Sequence, residues 1–426
     1  MRCRSALPAV CVLLLLAVAN ANAQLPLRLV VAGAGSSRTN AAASFPLPQT
    51  LPAGQCWRLI ETTGGQAKPV ATQQQPGEAR LWWLVEGALA PGQARTYRLE
   101  AGPAAPQTPL VQITDTDQTV EATTADKKLL RYNKVHVEPG PEVEPRYGRS
   151  AHLHPVWSPS GVVVTDEFPP DHLHQSGVFF SYTRTRFEGR NVDFWNLAEG
   201  KGRVRFKDLK SASGGAVFGE FQAEQEFVDL TAAGEKLTAD SGKPELGKVT
   251  GGKVALIESW RVRVWPAGLK AGYWLMDVES TQRCATTSPL VLPEYHYGGM
   301  AIRGARSWTP GQVTFLTSEG DERIKGNHTR PKWCDIRGSV DERAAGIAAL
   351  THPGNFRFPE PLRIHPTMPY MVYTPQFLGE FTIEPGQEHR SRYRWVVHDG
   401  QLSPEDLNQL WLDYAEPLVA VVSSGP

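Results

Sequence analysis

Glycine and proline, 39 and 34 of them, interrupt this chain so often that an apolar period of 3.6 residues has almost nowhere to run. What survives between the breaks is a period of two. Bulky and polar side chains alternate through 56–61, 81–85, 95–100, 129–137, 216–227, 253–264, 271–280 and 392–397, the pattern of strands with one buried face. An all-β chain built from antiparallel sheets follows. At 426 residues it exceeds what one growing core holds, so two units are expected. An opening strand at 25–31 and the short strands up to residue 100 read as a small β-sandwich within 24–125, ending in a Pro- and Ala-rich stretch at 101–109. Residues 126–426 then form a large antiparallel β-sandwich that carries the candidate site. One late helix is expected. Ser403 can cap it, Pro404 suits its first turn, and Glu405 and Asp406 complement the amino-terminal dipole. It should pack across the end of a sheet.

The first 23 residues read as a secretory leader. Arg2 and Arg4 precede a short apolar run at 9–19, and Ala21-Asn22-Ala23 supplies a small-x-small cleavage pattern. The run is well short of the roughly 20 residues that span a bilayer, and no later transmembrane segment is evident. A secreted or periplasmic protein is therefore expected. The 44 basic residues match the 44 acidic ones; removing the two leader arginines leaves 42 against 44. Without a basic excess, nucleic acid is not an expected partner. Three cysteines follow the leader, Cys56, Cys284 and Cys334. A Cys284–Cys334 bridge is one reading in an oxidising compartment, and separate core thiols are the other.

Gly-rich nucleotide loops, a nucleophile elbow and an HExxH helix are missing. The densest chemistry lies at 166–177, Asp-Glu-Phe-Pro-Pro-Asp-His-Leu-His-Gln-Ser-Gly. If that segment is extended, His172 and His174 project from one face beside Asp171. They then either hold a divalent metal with a third ligand from His154, His296, Glu294, His352 or His365, divide acid and base roles without metal, or belong to a structural polar network. A second group is Pro293 to Gly299, where strand alternation would put Glu294 with His296 and Tyr295 with Tyr297. Arg131 offers a planar fork for a carboxylated sugar or for a buried ion pair, and Tyr132 and His154 add polar groups. Asp193 stands among aromatics beside Trp195, as a ligand contact or as a turn acceptor. Asn327-His328-Thr329 fits a glycosylation acceptor or a loop cap.

Several of these segments occur together and in order. Arg131-Tyr132-Asn133, His154-Pro155 with Ser158 to Gly161, Asp166 to His172, Phe187 to Arg190 before Val192 to Asn196, and Tyr295 to Gly299 resemble the secreted bacterial "methane oxygenase PmoA-like" domains, a family of unknown function, over about residues 125–420. The resemblance implies a β-rich domain related to galactose-mutarotase-like supersandwiches, and by that analogy a sugar ligand. It also implies a segment of the Asp-His-Pro-His-His kind, in which Leu173 and Gln175 here replace a proline and the third histidine. Methane oxidation is set aside, because the label implies a membrane copper enzyme.

These features point to a secreted carbohydrate-active enzyme that works on an oligosaccharide or oxidised sugar, in polysaccharide degradation, by lyase, epimerase or hydrolase chemistry. Its catalytic candidates are His172, His174, His296, Glu294 and Asp171. Arg131, Tyr132, His154, Asp193, Trp195, Tyr295 and Tyr297 would bind the sugar, with His172 and His174 as the metal candidates. The competing class is a non-catalytic glycan-binding or cell-envelope protein using the same aromatics.

Overall fold

The computed structural model describes residues 25–423, apart from 34, 76, 104–106 and 234–250. The expected leader at 1–23 lies outside the described residues. The chain is all-β, as the alternation requires, and its centre is a sandwich of two eight-stranded sheets.

The front sheet runs Leu362–Ile364, Tyr370–Tyr373, Gly298–Arg303, Val178–Tyr182, His152–Val156, Lys127–Asn133, Thr119–Thr124 and Gln112–Asp115 in spatial order. The back sheet runs Gly202–Ser213, Gly219–Asp229, Lys253–Trp265, Tyr273–Cys284, His389–Asp399, Arg343–Thr351, Trp333–Val340 and Thr314–Thr317. Their ladders are antiparallel throughout. Alternation sends Leu130, Tyr132, Val178, Phe180, Met300 and Ile302 inward from the front, against Phe221, Trp260, Val262, Trp274, Met276 and Trp395 from the back. Each such side chain contributes roughly 1.5–3 kcal/mol by leaving water. A four-stranded sheet, Arg190–Val192, Thr185–Phe187, Leu290–Leu292 and Phe381–Ile383, adds Phe187, Val192, Leu290 and Leu292 to the same core.

A second, smaller sandwich pairs a five-stranded sheet around Leu27–Ala32 and Ala94–Pro103 with a three-stranded sheet of Leu418–Val419, Arg38–Pro46 and Arg80–Leu89. Leu29, Trp83, Tyr97 and Leu99 fill it. Two observations bear on the sequence boundary at residue 125. Gln112–Asp115 and Thr119–Thr124 lie before it yet belong to the front sheet, while Val421–Val422 returns to pair with Leu27–Ala32.

The strand Arg80–Leu89 has two working faces. Leu81, Trp83 and Val85 enter the small core, whereas Trp82 and Leu84 pack outward on the back sheet's outer face, against Phe218, Trp265 and Leu275. The expected helix, Pro404–Ala415, joins them there. Its Ser403 and Asp406 form a reciprocal capping box, and Leu407 and Leu410 enter the same cluster. It lies on the outer face of a sheet rather than across an end. The Cys284–Cys334 bridge is not formed: all three described cysteines are free thiols, and Cys334 sits in the sandwich core.

Candidate functional site

The front sheet's outer face is furnished differently. The register pairs Phe179 with Ala301, Ala301 with Val372, and Arg303 with Tyr370. Phe179, Ala301, Val372 and Tyr370 make an apolar floor completed by Trp195, with Tyr297 and Met368 packed on it. Trp195 lies 5.0 Å from Phe179, 6.1 Å from Tyr297 and 6.0 Å from Tyr370, centroid to centroid. Asp193 holds Trp195 in place. Its carboxylate accepts from the backbone N–H groups of Trp195 and Asn196 at 2.9 and 2.8 Å and from the Thr183 hydroxyl at 2.7 Å, so it is the turn acceptor rather than a free carboxylate.

Along one side of this floor lie three imidazoles. The His172 ring is 5.6 Å from His174 and 5.3 Å from His365. They do not meet by strand alternation, as the sequence spacing suggested. Residues 167–176 form a loop closed by a Glu167–Ser176 bridge, with one turn from Pro169 to His172 and another from His172 to Gln175. The prolines at 169 and 170 bar the extended form with its ladder. Phe168 adopts φ 50°, a strained value for a residue with a β-carbon. Gly177 ends the loop because a β-carbon there would stand 2.0 Å from the Leu153 carbonyl oxygen.

Arg303, nearly buried, ties the loop to the floor. It donates to Asp171 Oδ2 and Gln175 Oε1, each at 3.0 Å, so Asp171 is committed to an ion pair and its other oxygen stays 4.0 Å from His172 Nδ1. Burial drives His174 down to about 3 and His365 to about 4, and lowers His172 against the pull of Asp171. These imidazoles are neutral at neutral pH. Among the described residues no three His, Cys, Asp or Glu side chains are arranged to hold a metal ion. The third ligand required by the metal reading is not placed.

His296 belongs to a neighbouring group. Its ring touches those of Tyr295 and Tyr297, 4.2 and 4.6 Å away, and His328 lies 6.4 Å off. The segment leaves the strand before Gly298, so the expected alternation fails. Glu294 is exposed there, away from any strand face shared with His296. Arg363 stands 5.2 Å over Tyr297, while Arg184 lies 4.0 Å over Tyr295. Burial lowers His296 as it does His365, and Arg363 depresses both further, linking the two histidine groups electrostatically.

Three other candidates have structural employment. Tyr132 is fully buried in the core with its hydroxyl on Gln225, because it shares an inward face with Leu130. Arg131 pairs with Glu121 across the ladder at 2.7 Å. His154 shares a hydrogen bond with the Thr165 hydroxyl at 2.9 Å, and burial takes it to about 4. Asn327 caps its loop by accepting from Arg363 and the Ile364 backbone.

The sequence reading missed Arg303, Arg363 and Tyr370, and offered His365 only as one of five possible partners of His172 and His174. Arg303 follows Met300 and Ile302 in alternation, a signal that it faces outward. Several polar atoms here are buried without a protein partner: Arg303 Nε, Arg363 Nε, the Tyr370 hydroxyl and His172 Nδ1. Such atoms are costly unless water or ligand satisfies them.

A family model matches residues 119–412, more than half of the chain, described as DUF6807, a family of unknown function. This protein is a DUF6807 member. The matched span covers the large sandwich except its edge strand Gln112–Asp115, and includes the floor, the histidine loop and Arg363. No curated protein gives a significant sequence match. Among solved structures, heparan sulfate lyase HepC from Pedobacter heparinus aligns with 71% of this chain and 38% of its own, at 9% identity and a TM-score of 0.28. A putative mutarotase, YeaD, from Salmonella typhimurium aligns over 70% of this chain and 97% of its own, at 10% identity and the same TM-score. The chain thus spans well under half of the lyase. Among the described residues no helix is long and apolar enough to cross a membrane.

Proposed function

We propose that the front face of this DUF6807 member binds an oxidised, carboxylate-bearing sugar and acts on it by acid/base chemistry, in a secreted or periplasmic protein. The observation that carries the reading is the half-buried Tyr297 ring, backed by the buried Trp195 and Tyr370, beside Arg303 and Arg363, whose Nε atoms are buried without partners. Flat aromatic faces suit sugar rings, and planar guanidinium forks suit carboxylates. A bound carboxylate flanked by arginine makes the adjoining carbon more acidic, which favours lyase or epimerase chemistry over hydrolysis. His172 is the group best placed to exchange that proton: it is half-buried, and Asp171 opposes the effect of burial on it. His174 and His365, neutral at neutral pH, would orient the substrate.

Calorimetric titration of the mature protein with uronate-containing and neutral oligosaccharides tests the binding. Uronates should bind at least tenfold more tightly. His172→Gln should then reduce turnover by about 10²–10⁴-fold while changing affinity by less than about threefold. The 4.0 Å gap between Asp171 and His172 favours a second reading, a glycan-binding protein without catalysis. Tight uronate binding with no product formed would establish that reading. Equal affinity for neutral sugars would remove the carboxylate from the proposal.

A further inference from the structure

Beyond the aromatic floor, a cavity of about 480 Å³ opens between the loop after Lys127–Asn133 and the back-sheet edge strand Gly202–Ser213. Lys134, His136, Arg149, Arg203 and Arg205 line it against one carboxylate, the exposed Asp117. Two of the cations are matched elsewhere: Lys134 pairs with Asp115 at 2.6 Å and Arg205 with Glu226 at 2.8 Å. Arg149 and Arg203 have no such pairing among the described residues.

Arg203 is 7% exposed, donates one Nη2 hydrogen bond to the Arg146 carbonyl at 3.3 Å, and leaves Nε without a partner. Arg149 is 3% exposed, and its Nε, Nη1 and Nη2 all lack partners. Burial lowers both to about 10, so they remain cationic at neutral pH. A buried charge without a counter-ion is among the costliest features a fold can carry. Arg203 at the cavity wall argues for an anion that completes it, whereas the Arg149 nitrogens are closed off from the cavity and have Glu258 and Glu167 as neighbouring charges. The wall is closely built as well: a β-carbon at Gly148 would lie 2.0 Å from His136 Nε2.

We propose that this cavity is an oxyanion site, in which Arg203 binds a phosphate, sulfate or carboxylate group. The guanidinium of Arg149 also lies 4.4 Å over Phe179 of the aromatic floor. The oxyanion is therefore either a free ion or a charged substituent of the ligand on that floor. Neither case requires proton transfer at His172.

The test is thermal melting and calorimetry of the whole protein at pH 7 and constant ionic strength, with inorganic phosphate, inorganic sulfate, acetate and glucuronate as probes against chloride. At least one probe should raise the melting temperature saturably where chloride does not. Arg203→Met should raise the melting temperature in anion-free buffer, because it removes an unpaired buried charge, and should weaken that probe at least tenfold. Arg203→Lys keeps the charge but loses the planar fork, so it should bind several-fold more weakly; it serves if the Met variant does not fold. Glucuronate affinity that exceeds acetate affinity and falls in Trp195→Ala assigns a substituent. Phosphate or sulfate binding indifferent to Trp195→Ala assigns a free ion. No saturable response to any probe overturns the proposal, as does undiminished binding in both Arg203 variants. Failure of sugar binding with intact anion binding would overturn the reading of the floor alone.

Discussion

The two sheets of the large sandwich turn very different faces outward. On the back sheet, Phe218, Trp265, Leu275, Leu350 and Val396 are covered by the helix Pro404–Ala415 and by Trp82 and Leu84 of the small sandwich. Most polar groups there come with partners, Arg38 Nε and Gln75 Nε2 excepted. Trp265 Nε1 donates to Asp277, Trp333 Nε1 to Asn408 and Trp411 Nε1 to the Thr351 carbonyl; Arg263 pairs with Glu220 and Glu78, and Arg394 with Asp277. On the front sheet the rings are just as large, but Tyr370, Arg303, Arg363 and His172 keep polar atoms that no protein group satisfies. Burial is therefore a poor guide to purpose in this fold. Unsatisfied atoms gather around the front floor, whereas elsewhere they are scattered singly, as at Trp260 and Trp395 Nε1 in the core.

That contrast can be broken most directly at the joint between the back sheet and the parts that cover it. Trp265→Ala should cost about 3–5 kcal/mol in urea denaturation while leaving anion or sugar affinity on the far face unchanged; a loss below about 1 kcal/mol would mean that the joint is not held there. Next in size, Arg263→Met should destabilise by about 1.5–3 kcal/mol, because Glu220 loses one of its two arginine partners and keeps only Arg261, the opposite sign from that expected for Arg203→Met. Matching signs for the two arginines would erase the distinction between paired and unpaired cations.

The pH response is smaller and is shared between the front and other regions, since burial also takes His136, His352 and His389 to about 4. His174 folds with a value near 3 and His154 and His365 with values near 4, all below the ordinary 6.5. Between those limits the unfolded chain binds more protons, so stability present at pH 7 is lost as pH falls from 6.5 toward 4. Each group contributes at most about 1.4 kcal/mol per pH unit, and His174→Gln should flatten the urea midpoint against pH accordingly. An unchanged profile would show that His174 is not held neutral. The smallest effect is expected for Tyr370→Phe, which removes an unsatisfied hydroxyl: stability should hold or rise by about 1 kcal/mol, with ligand affinity falling. A stability loss instead would place a partner on that oxygen.

Much of this architecture could be read from residue order alone, and the reasons for success and failure are local. Period-two alternation identified the strands, and Ser403-Pro404 with Asp406 announced the helix, because both signals lie within a few residues. Tyr132 was misplaced although its signal was available: it shares a face with Leu130, which must point inward. His172 and His174 do meet, through turns imposed by two prolines rather than through a shared strand face. Arg149, Arg303 and Tyr370 were illegible as a group, since only the register of strands separated by long stretches of chain brings them to one surface.

The small sandwich borrows its edges from the far end of the chain. Leu418–Val419 lies parallel to Arg38–Pro46, and Val421–Val422 closes on Leu27–Ala32. Strands Leu27–Ala32 and Arg38–Pro46 thus wait for residues 418–422 before their sheets are complete. Until residues 418–422 are made, the growing chain carries open strand edges there. Truncation before Leu418 should accordingly expose protease sites in residues 27–46, at the opposite end of the sequence from the cut.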